Sequence, residues 1–187
     1  MKKIIAKIIF GAFRWKTSVN TTDEMRKCVM IAAPHTSNWD FLFTMMTFWK
    51  HDIKLKFFVK DSYTKKFLIG SIARKMGAIG VDRSKKGKNL VDFAIDVLKN
   101  NKEMVILVPA EGTRKYVEKW KTGFYHIAKG ANVPIALGFL DYKKKLAGVG
   151  PMVYTTESQE DDFNKIQEYY KNITGRHPEL YNKKIYK

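Results

Sequence analysis

The fold prediction starts from the sequence CVMIAAP at residues 28–34 and the sequence HTSNWD that follows it at residues 35–40. An uninterrupted apolar run that ends in Pro is typical of a buried strand. Ser37 or Asn38 is a suitable N-cap for a helix that begins near Trp39. We therefore expect a strand, a short loop and a helix in succession.

The same stretch places His35 on the loop at the carboxyl end of the strand and Asp40 in the first turn of the helix. On one continuous helix, residues five apart point to different faces, but across a tight loop the two side chains can meet. An imidazole held by a carboxylate has a fixed tautomer and suits a general base that takes a proton from a hydroxyl. The alternative is a His at the strand end beside an Asp that stabilises the helix N-terminus through the helix dipole.

A second candidate site follows another apolar run, Met104–Val108, which is also followed by Pro. Gly112 lets the backbone turn tightly and approach a ligand closely. Arg114 carries a planar fork of donors suited to phosphate oxygens, and Glu111 can orient this Arg or a substrate hydroxyl. The alternative is an ordinary turn with a surface ion pair.

A third segment is a short apolar strand that starts near Gly77 and ends in Arg83. Its arginine offers another donor fork for an anionic ligand. The alternative for Arg83 is a solvated ion pair with Asp82 at the end of the strand.

Strand and helix patterns alternate along the chain. Strands are predicted at residues 28–33, 54–59, 78–82, 104–108 and 133–140, and helices at residues 38–50, 63–76, 90–100, 123–129 and 158–170. Such alternation predicts an α/β fold: a single domain with a mostly parallel or mixed sheet flanked by helices. The carboxyl ends of the strands would gather His35, Arg83 and residues 111–114 at one edge, where open α/β sheets bind ligands.

Composition and charge agree with one folded domain. A chain of 187 residues with 45% hydrophobic content is not disordered. The net charge of +17 points to a polyanionic partner, either nucleic acid or anionic lipid headgroups. The single cysteine, Cys28, excludes a disulfide framework and favours a reducing compartment. His51, His126 and His177 lack partners at metal-ligand spacing, so we expect no metal site.

The first 16 residues predict an amphipathic helix. Its apolar residues fall on one side and its basic residues on another, namely Ile4, Ile5, Ile8 and Ala12 against Lys3, Lys7 and Arg14. The apolar part is shorter than the roughly 20 residues that cross a bilayer, and it lacks the cleavage site of a signal peptide. A basic amphipathic helix with Trp15 at its end suits the membrane interface. The alternative is a helix that packs its Ile face onto the domain, and exposure of that face distinguishes the two.

Taken together, these segments resemble the sequence blocks of the glycerolipid acyltransferases, the family of 1-acylglycerol-3-phosphate acyltransferase. The first block, a His and an Asp separated by four residues, matches His35 and Asp40. The second, a Gly before an apolar stretch ending in Arg, matches residues 77–83, and the third matches residues 111–114. A fourth block, Val-Pro-Ile before an apolar strand, matches residues 133–135.

Two positions depart from the family pattern. Ala110 stands where the family usually has Pro, and the residues after Ile135 are Ala136, Leu137 and Gly138, without the second Pro that the family often has. Neither position supplies chemistry, so the expected reaction class stays the same. Both lie near the acceptor pocket that the resemblance implies, so lysophosphatidate itself is not established as the acceptor.

The resemblance implies an acyltransferase domain at residues 17–187 and a membrane-interface helix at residues 1–16. Such an enzyme moves a fatty acyl group from acyl-CoA or acyl-ACP to a hydroxyl of a lysophospholipid or glycerol-phosphate-type acceptor. It needs no metal or bound cofactor, because the thioester is a substrate. The expected partner is an anionic membrane surface rather than nucleic acid, and the expected location is peripheral, on the cytoplasmic side.

The resemblance also implies a role for each matched residue. His35 would be the catalytic base and Asp40 would orient it. The remaining positions would bind the acceptor, with Arg83 and Arg114 holding its phosphate or other anionic headgroup and Glu111, Gly112 and Thr113 shaping the pocket.

The competing interpretation is a non-enzymatic basic module that binds anionic membrane or nucleic acid through charge alone. RNA recognition by stacking requires aromatic side chains on one sheet face. Phe57 and Phe58 are adjacent in a predicted strand and therefore point to opposite faces. This arrangement disfavours an RNA-binding platform.

Overall fold

The structure, a computed structural model, describes residues 1–19, 22–82 and 90–186. These residues form a seven-stranded sheet in the order β1-β7-β6-β2-β5-β3-β4. Strands β6 and β7 are antiparallel, and the other neighbouring pairs are parallel. The strands are β1 (Lys16–Val19), β2 (Lys27–Ala33), β3 (Leu55–Lys60), β4 (Ala78–Val81), β5 (Met104–Pro109), β6 (Ile135–Asp141) and β7 (Leu146–Val153). The predicted α/β class with a mixed sheet is confirmed.

Strand β2 lies in the middle of the sheet, between β5 and β6. Val29, Met30 and Ile31 have no exposed surface. A strand covered on both faces is apolar at consecutive positions, which explains the continuous apolar run of residues 28–33. Because β2, β5 and β3 are parallel, the residues that follow them meet at one edge of the sheet.

Helices cover both faces of the sheet. Within the described residues they are α1 (Lys2–Phe13), α2 (Trp39–His51), α3 (Asp61–Thr64), α4 (Phe67–Lys75), α5 (Leu90–Lys99), α6 (Gly123–Ala131) and α7 (Gln159–Tyr170). One core cluster joins α1 and α2 to the sheet through residues such as Phe10 and Phe43. A second cluster, on α5, α6 and α7, includes Leu98, Phe124 and Phe163. Among the described residues, no helix is both long enough and apolar enough to cross a membrane.

Helix α1 packs onto α2 with a face that differs from its isoleucine face. Ala6 and Phe10 are buried, and the Phe10 ring lies 6.3 Å from that of Phe43. Ile4 and Ile8 are 62% and 65% exposed. The predicted alternative, in which the Ile face itself packs onto the domain, is therefore wrong.

Two parts of the secondary structure differ from the prediction. The single helix expected at residues 63–76 is two helices, α3 and α4, because the backbone at Lys66 is extended. Strands β1 and β7 were not predicted. Strand β1 has only four residues, and β7 contains Gly148, Gly150 and Pro151, which weaken the strand pattern.

The segment after α7 runs back across the molecule to the carboxyl edge of the sheet. Ile173, Tyr181 and Ile185 anchor it in the core cluster under α6 and α7. On the way, the backbone carbonyl of Thr174 accepts a hydrogen bond from the Tyr142 N–H at 2.9 Å. This segment therefore reaches the turn between β6 and β7, at the carboxyl end of β6.

Candidate active site

His35 and Asp40 lie at the carboxyl edge of the sheet, where β2 ends and α2 begins. The two side chains meet across the intervening loop, with His35 Nδ1 at 3.2 Å from Asp40 Oδ2. The His35 side chain is 23% exposed and that of Asp40 is 5% exposed, so the imidazole is accessible while the carboxylate is buried. When Nδ1 donates its proton to Asp40, Nε2 carries the lone pair that a general base requires.

Further donors fix the orientation of the Asp40 carboxylate. The backbone N–H groups of Thr36 and Ser37 each donate to Asp40 Oδ2 at 2.8 Å. The Tyr142 hydroxyl donates to Oδ1 at 2.6 Å. Burial, followed by the hydrogen bond to Asp40, raises the pKa of Tyr142, so the phenol stays protonated. With both oxygens held, the carboxylate cannot turn away from His35.

Glu111 follows β5 at the same edge and is 1% exposed. Its two carboxyl oxygens lie 3.1 and 3.2 Å from the backbone nitrogen of His35, which donates to them. Burial raises the pKa of Glu111 to about 8; the bond from His35 opposes this rise, and the charge of Asp40 adds to it. Glu111 is therefore mostly protonated at neutral pH. Its contact is with the backbone that carries the imidazole, and its role in acceptor binding stays a prediction.

The turn after Glu111 carries the remaining residues of the third block. Gly112 has a φ of 71°, a left-handed conformation that favours glycine. A Cβ at this position would lie 3.1 Å from Lys121 Cε. Thr113 is half-buried and Arg114 is exposed. Among the described residues, no hydrogen bond joins Arg114 to His35, so the structure does not test its predicted role.

The other predicted phosphate ligand, Arg83, lies outside the described residues. The segment that leads to it is described from Gly77 to Asp82. Gly77 has a φ of 105°, and a Cβ there would collide with the carbonyl oxygen of Leu55. The glycine that opens the second block thus permits a close approach of two backbones.

An apolar cavity of about 150 Å³ opens beside His35 and Asp40. Helix α2 contributes five of its lining residues, Asp40, Phe41, Thr44, Thr47 and Phe48. The rest of the wall comes mainly from strand residues, including Met30, Ala32, Phe57, Phe58, Leu107, Phe139 and Leu140. Part of the Phe- and Met-rich stretch at residues 41–49 therefore faces an apolar space next to the imidazole.

Sequence reasoning missed the residues that support this loop from the C-terminal part of the chain. Tyr142 lies in the turn between β6 and β7, 102 positions from Asp40. The His177 backbone N–H donates to Thr36 Oγ1 at 3.2 Å. A Cβ on Gly175 would lie 3.0 Å from the same oxygen. These contacts join distant segments, and no local sequence pattern indicates them.

A cysteine thiolate and a cluster of metal ligands are two other sources of reactive groups in enzymes. Cys28 is buried in β2, and burial raises the pKa of its thiol to about 12. Its thiolate is therefore not available as a nucleophile at neutral pH. In the described ranges, no group of three or more His, Cys, Asp or Glu side chains is placed to hold a metal ion.

A similar fold is found in the crystal structure of the 1-acyl-sn-glycerophosphate (LPA) acyltransferase PlsC from Thermotoga maritima. The TM-score is 0.60 at 17% sequence identity, and the match covers 90% of this chain and 74% of the other. At this identity the likeness concerns the fold. No curated protein sequence matches the chain.

A family model described as acyltransferase matches residues 16–136. The matched residues include β1 to β5 and the loops that carry His35 and Glu111. This match decides between the two interpretations of the sequence, an enzyme and a non-enzymatic basic module. The chain belongs to the acyltransferase family and is an enzyme.

Proposed function

We propose that this enzyme transfers a fatty acyl group from an acyl thioester to a hydroxyl of a lysophospholipid or another glycerol-phosphate-type acceptor. The observation that carries the proposal is the contact of His35 with Asp40 at 3.2 Å, beside an apolar cavity. The acceptor class is supported by the activity of the solved protein with a similar fold, a 1-acyl-sn-glycerophosphate acyltransferase.

The proposed chemistry is general-base catalysis of acyl transfer. His35 Nε2 takes the proton of the acceptor hydroxyl while the oxygen of that hydroxyl forms a bond to the thioester carbonyl carbon. The tetrahedral intermediate then collapses, the C–S bond breaks, and the imidazolium returns its proton to the departing thiolate. Asp40 holds the imidazole in the required tautomer and stabilises its charged form. No metal or bound cofactor takes part in these steps.

The negative charge that develops on the carbonyl oxygen needs donors near the base. The turn after Glu111 runs along the same sheet edge, and the backbone N–H groups of Thr113 and Arg114 are the candidates. The Gly112 N–H is already engaged with the carbonyl of Pro109 at 3.0 Å. We therefore propose that the N–H groups of Thr113 and Arg114, which follow Gly112, bind the oxyanion.

The apolar cavity is the proposed site of the acyl chain. Its opening beside His35 would place the thioester carbonyl at the imidazole while the hydrocarbon lies between α2 and the sheet. Burial of each methylene group contributes about 0.8 kcal/mol, so an apolar wall favours a long acyl chain over a short one. The donor is acyl-CoA or acyl-ACP, both of which deliver the same thioester.

Arg114 and Arg83 are the proposed ligands of the acceptor's phosphate. Arg114 is exposed three residues beyond Glu111, so its guanidinium is free to approach a headgroup from solvent. A guanidinium binds two phosphate oxygens at once, which fixes the acceptor's orientation as well as its affinity. Gly112 and Thr113 shape the pocket between this arginine and the base.

Membrane attachment completes the proposal. Ile4, Ile5 and Ile8 remain exposed on α1 although Ala6 and Phe10 anchor the helix to the domain. The helix thus offers apolar side chains to a bilayer without unpacking. A net charge of +17 favours an anionic surface. We propose a peripheral enzyme on the cytoplasmic side of the membrane.

The test is thiol release from an acyl thioester in the presence of a lysophospholipid, with acyl-CoA and acyl-ACP supplied in separate assays. His35→Ala should abolish lysophospholipid-dependent release, and Asp40→Asn should lower turnover by orders of magnitude. His126→Ala is the matched control, because this exposed histidine lies on α6, away from the site. Wild-type turnover by His35→Ala with a verified acceptor would refute the mechanism.

A further inference from the structure

Helix α4 exposes a second apolar surface. Phe67 is 92% exposed, Leu68 is 70% exposed, and Ile69 and Ile72 are each 59% exposed. Leaving four large apolar side chains in water on one nine-residue helix forgoes favourable burial. An apolar patch of this kind marks a site of interaction with a membrane or with another protein.

Helix α4 shares one side of the molecule with α1. Met76, which follows α4 directly, packs in the same core cluster as Phe10 of α1 and Phe48 of α2. The amino end of α1 and the carboxyl end of α4 line a common cleft of about 590 Å³. The exposed isoleucines of α1 and the apolar surface of α4 therefore belong to the two helices that border this cleft.

The cleft is strongly cationic. Among the described residues that line it there is a single carboxylate, that of Asp52, which Lys3 already contacts at 3.4 Å. The same cleft is lined by six cationic side chains, those of Lys2, Lys3, Lys54, Lys56, Arg74 and Lys75. Lys2 also lies over the Trp49 ring, 5.4 Å from its centroid. This arrangement matches an anionic bilayer, because the cationic side chains can contact the lipid phosphates while the apolar helix surfaces contact the hydrocarbon below them. Nucleic acid would match the charge but would leave both apolar surfaces in water.

We infer that α4 is a second bilayer-contacting helix and that the cleft between α1 and α4 holds the phosphate headgroup of an anionic phospholipid. The inference rests on the membrane attachment proposed above and adds to it a helix and a headgroup site. Two inserted helices fix the orientation of the domain on the bilayer, whereas α1 alone leaves it free to rotate about that helix.

The first test measures sedimentation with vesicles of phosphatidylglycerol and phosphatidylcholine in equal parts. Leu68→Glu with Ile72→Glu should weaken vesicle binding at least about tenfold, because two apolar contacts are lost and two charges oppose insertion. The matched control, Asn164→Glu with Asn172→Glu, adds the same charge at exposed positions in and just after α7, on the other side of the sheet. Equal binding by the two double variants would overturn the inference.

A second test keeps the charge of the protein unchanged. Ile72→Cys can be labelled selectively with an environment-sensitive fluorophore, because the native thiol of Cys28 is buried and its pKa is about 12. Vesicle binding should shift the emission of this label to the blue, and a label at Asn164→Cys should not shift. An unshifted spectrum at position 72 in a vesicle-bound protein would overturn the insertion of α4.

The headgroup site is tested by removing charge from the cleft. Lys54→Gln with Lys75→Gln should weaken binding to the anionic vesicles several-fold more than Lys183→Gln with Lys184→Gln, which removes the same charge from the exposed C-terminal segment. The two double variants should bind equally well to vesicles of pure phosphatidylcholine. Equal losses on anionic vesicles would overturn the headgroup site and leave only a general effect of charge.

These assays contain no acyl donor or acceptor, so their result is independent of the acyl-transfer chemistry. If the wild-type protein does not bind vesicles, the proposed membrane attachment fails together with this inference. If the wild type binds and the α4 variants bind equally well, the attachment through α1 survives and only the inference is lost.

Discussion

Replacing Glu111 by Gln should remove the pH dependence of stability that this buried carboxyl imposes. The carboxyl is 1% exposed, and its pKa in the folded protein is raised from 4.5 to about 8. Between these two values the unfolded chain has released this proton and the folded chain still holds it. The contribution of the protonated Glu111 carboxyl to the free energy of unfolding is therefore complete below about pH 4.5 and is lost as the pH rises through 8.

The magnitude follows from the same two values. At about 1.4 kcal/mol per pH unit, the interval from 4.5 to about 8 corresponds to at most on the order of 5 kcal/mol of unfolding free energy. Glutamine stays neutral at every pH, and its amide oxygen can still accept the hydrogen bond from the His35 N–H. The variant should match the wild type near pH 5 and exceed its stability by several kcal/mol near pH 9.

Urea unfolding at pH 5 and pH 9, followed by tryptophan fluorescence, measures this difference. Glu103→Gln is the matched control, since the Glu103 side chain is 61% exposed and should carry little of the effect. A Glu111→Gln variant that loses as much stability with rising pH as the wild type would refute the reasoning. The same variant also tests the role of Glu111 in the site: an unchanged KM for the acceptor indicates support of the loop, and a raised KM indicates contact with the ligand.

Three further predictions concern the proposed catalytic pair, the acceptor headgroup and the membrane. Tyr142→Phe removes a 2.6 Å hydrogen bond to the Asp40 carboxylate and should lower kcat roughly tenfold with little change in the KM for the thioester. Arg114→Ala should raise the KM for a phosphorylated acceptor at least about tenfold, and the KM for the thioester much less. Ile4→Ser with Ile8→Ser should weaken sedimentation with anionic vesicles while the melting temperature stays near that of the wild type, because both side chains are exposed.

Each of these variants has a comparison that separates function from folding. Tyr154→Phe also removes a tyrosine hydroxyl bonded to a carboxylate, but far from the site, and should leave kcat unchanged. Arg26→Ala removes an exposed arginine and should leave both KM values unchanged. Equal losses of kcat in the two tyrosine variants, or equal rises of both KM values in Arg114→Ala, would contradict the assigned roles. Removal of residues 1–14 is a poorer experiment than the isoleucine variants, because it also takes Phe10 out of the core.

The sequence was sufficient to predict the parts of the site that depend on local order. The run at residues 28–33 predicts a buried central strand, and the chain can turn from it into a helix only near residues 34–38. The meeting of His35 with Asp40 follows from that turn. Glu111 is 76 positions from His35, yet its approach was also predictable, because β2 and β5 are parallel neighbours whose carboxyl ends share one edge.

The exposure of α4 could not be predicted from its pattern. Leu68, Ile69 and Ile72 are apolar at helical spacing, a pattern that usually indicates a face turned to the core. Periodicity identifies which residues share a face but not what covers that face. In α4 the small Gly70 faces inward instead, and a Cβ there would collide with the carbonyl oxygen of Thr64. The α4 backbone packs closely against Thr64 at Gly70, so the larger side chains of the helix lie on its solvent-exposed side.

The support of Asp40 could not be predicted either, because it comes from beyond the part of the chain that the family model matches. That match ends at residue 136, whereas the hydroxyl that holds Asp40 Oδ1 belongs to Tyr142. The backbone of Tyr142 is in turn held by the carbonyl of Thr174, and His177 holds the loop through Thr36. Each contact spans more than 30 positions along the chain, so no local sequence pattern indicates it. The two residues of the first block therefore bring an imidazole and a carboxylate into reach of each other, and the C-terminal part of the chain holds that carboxylate in place.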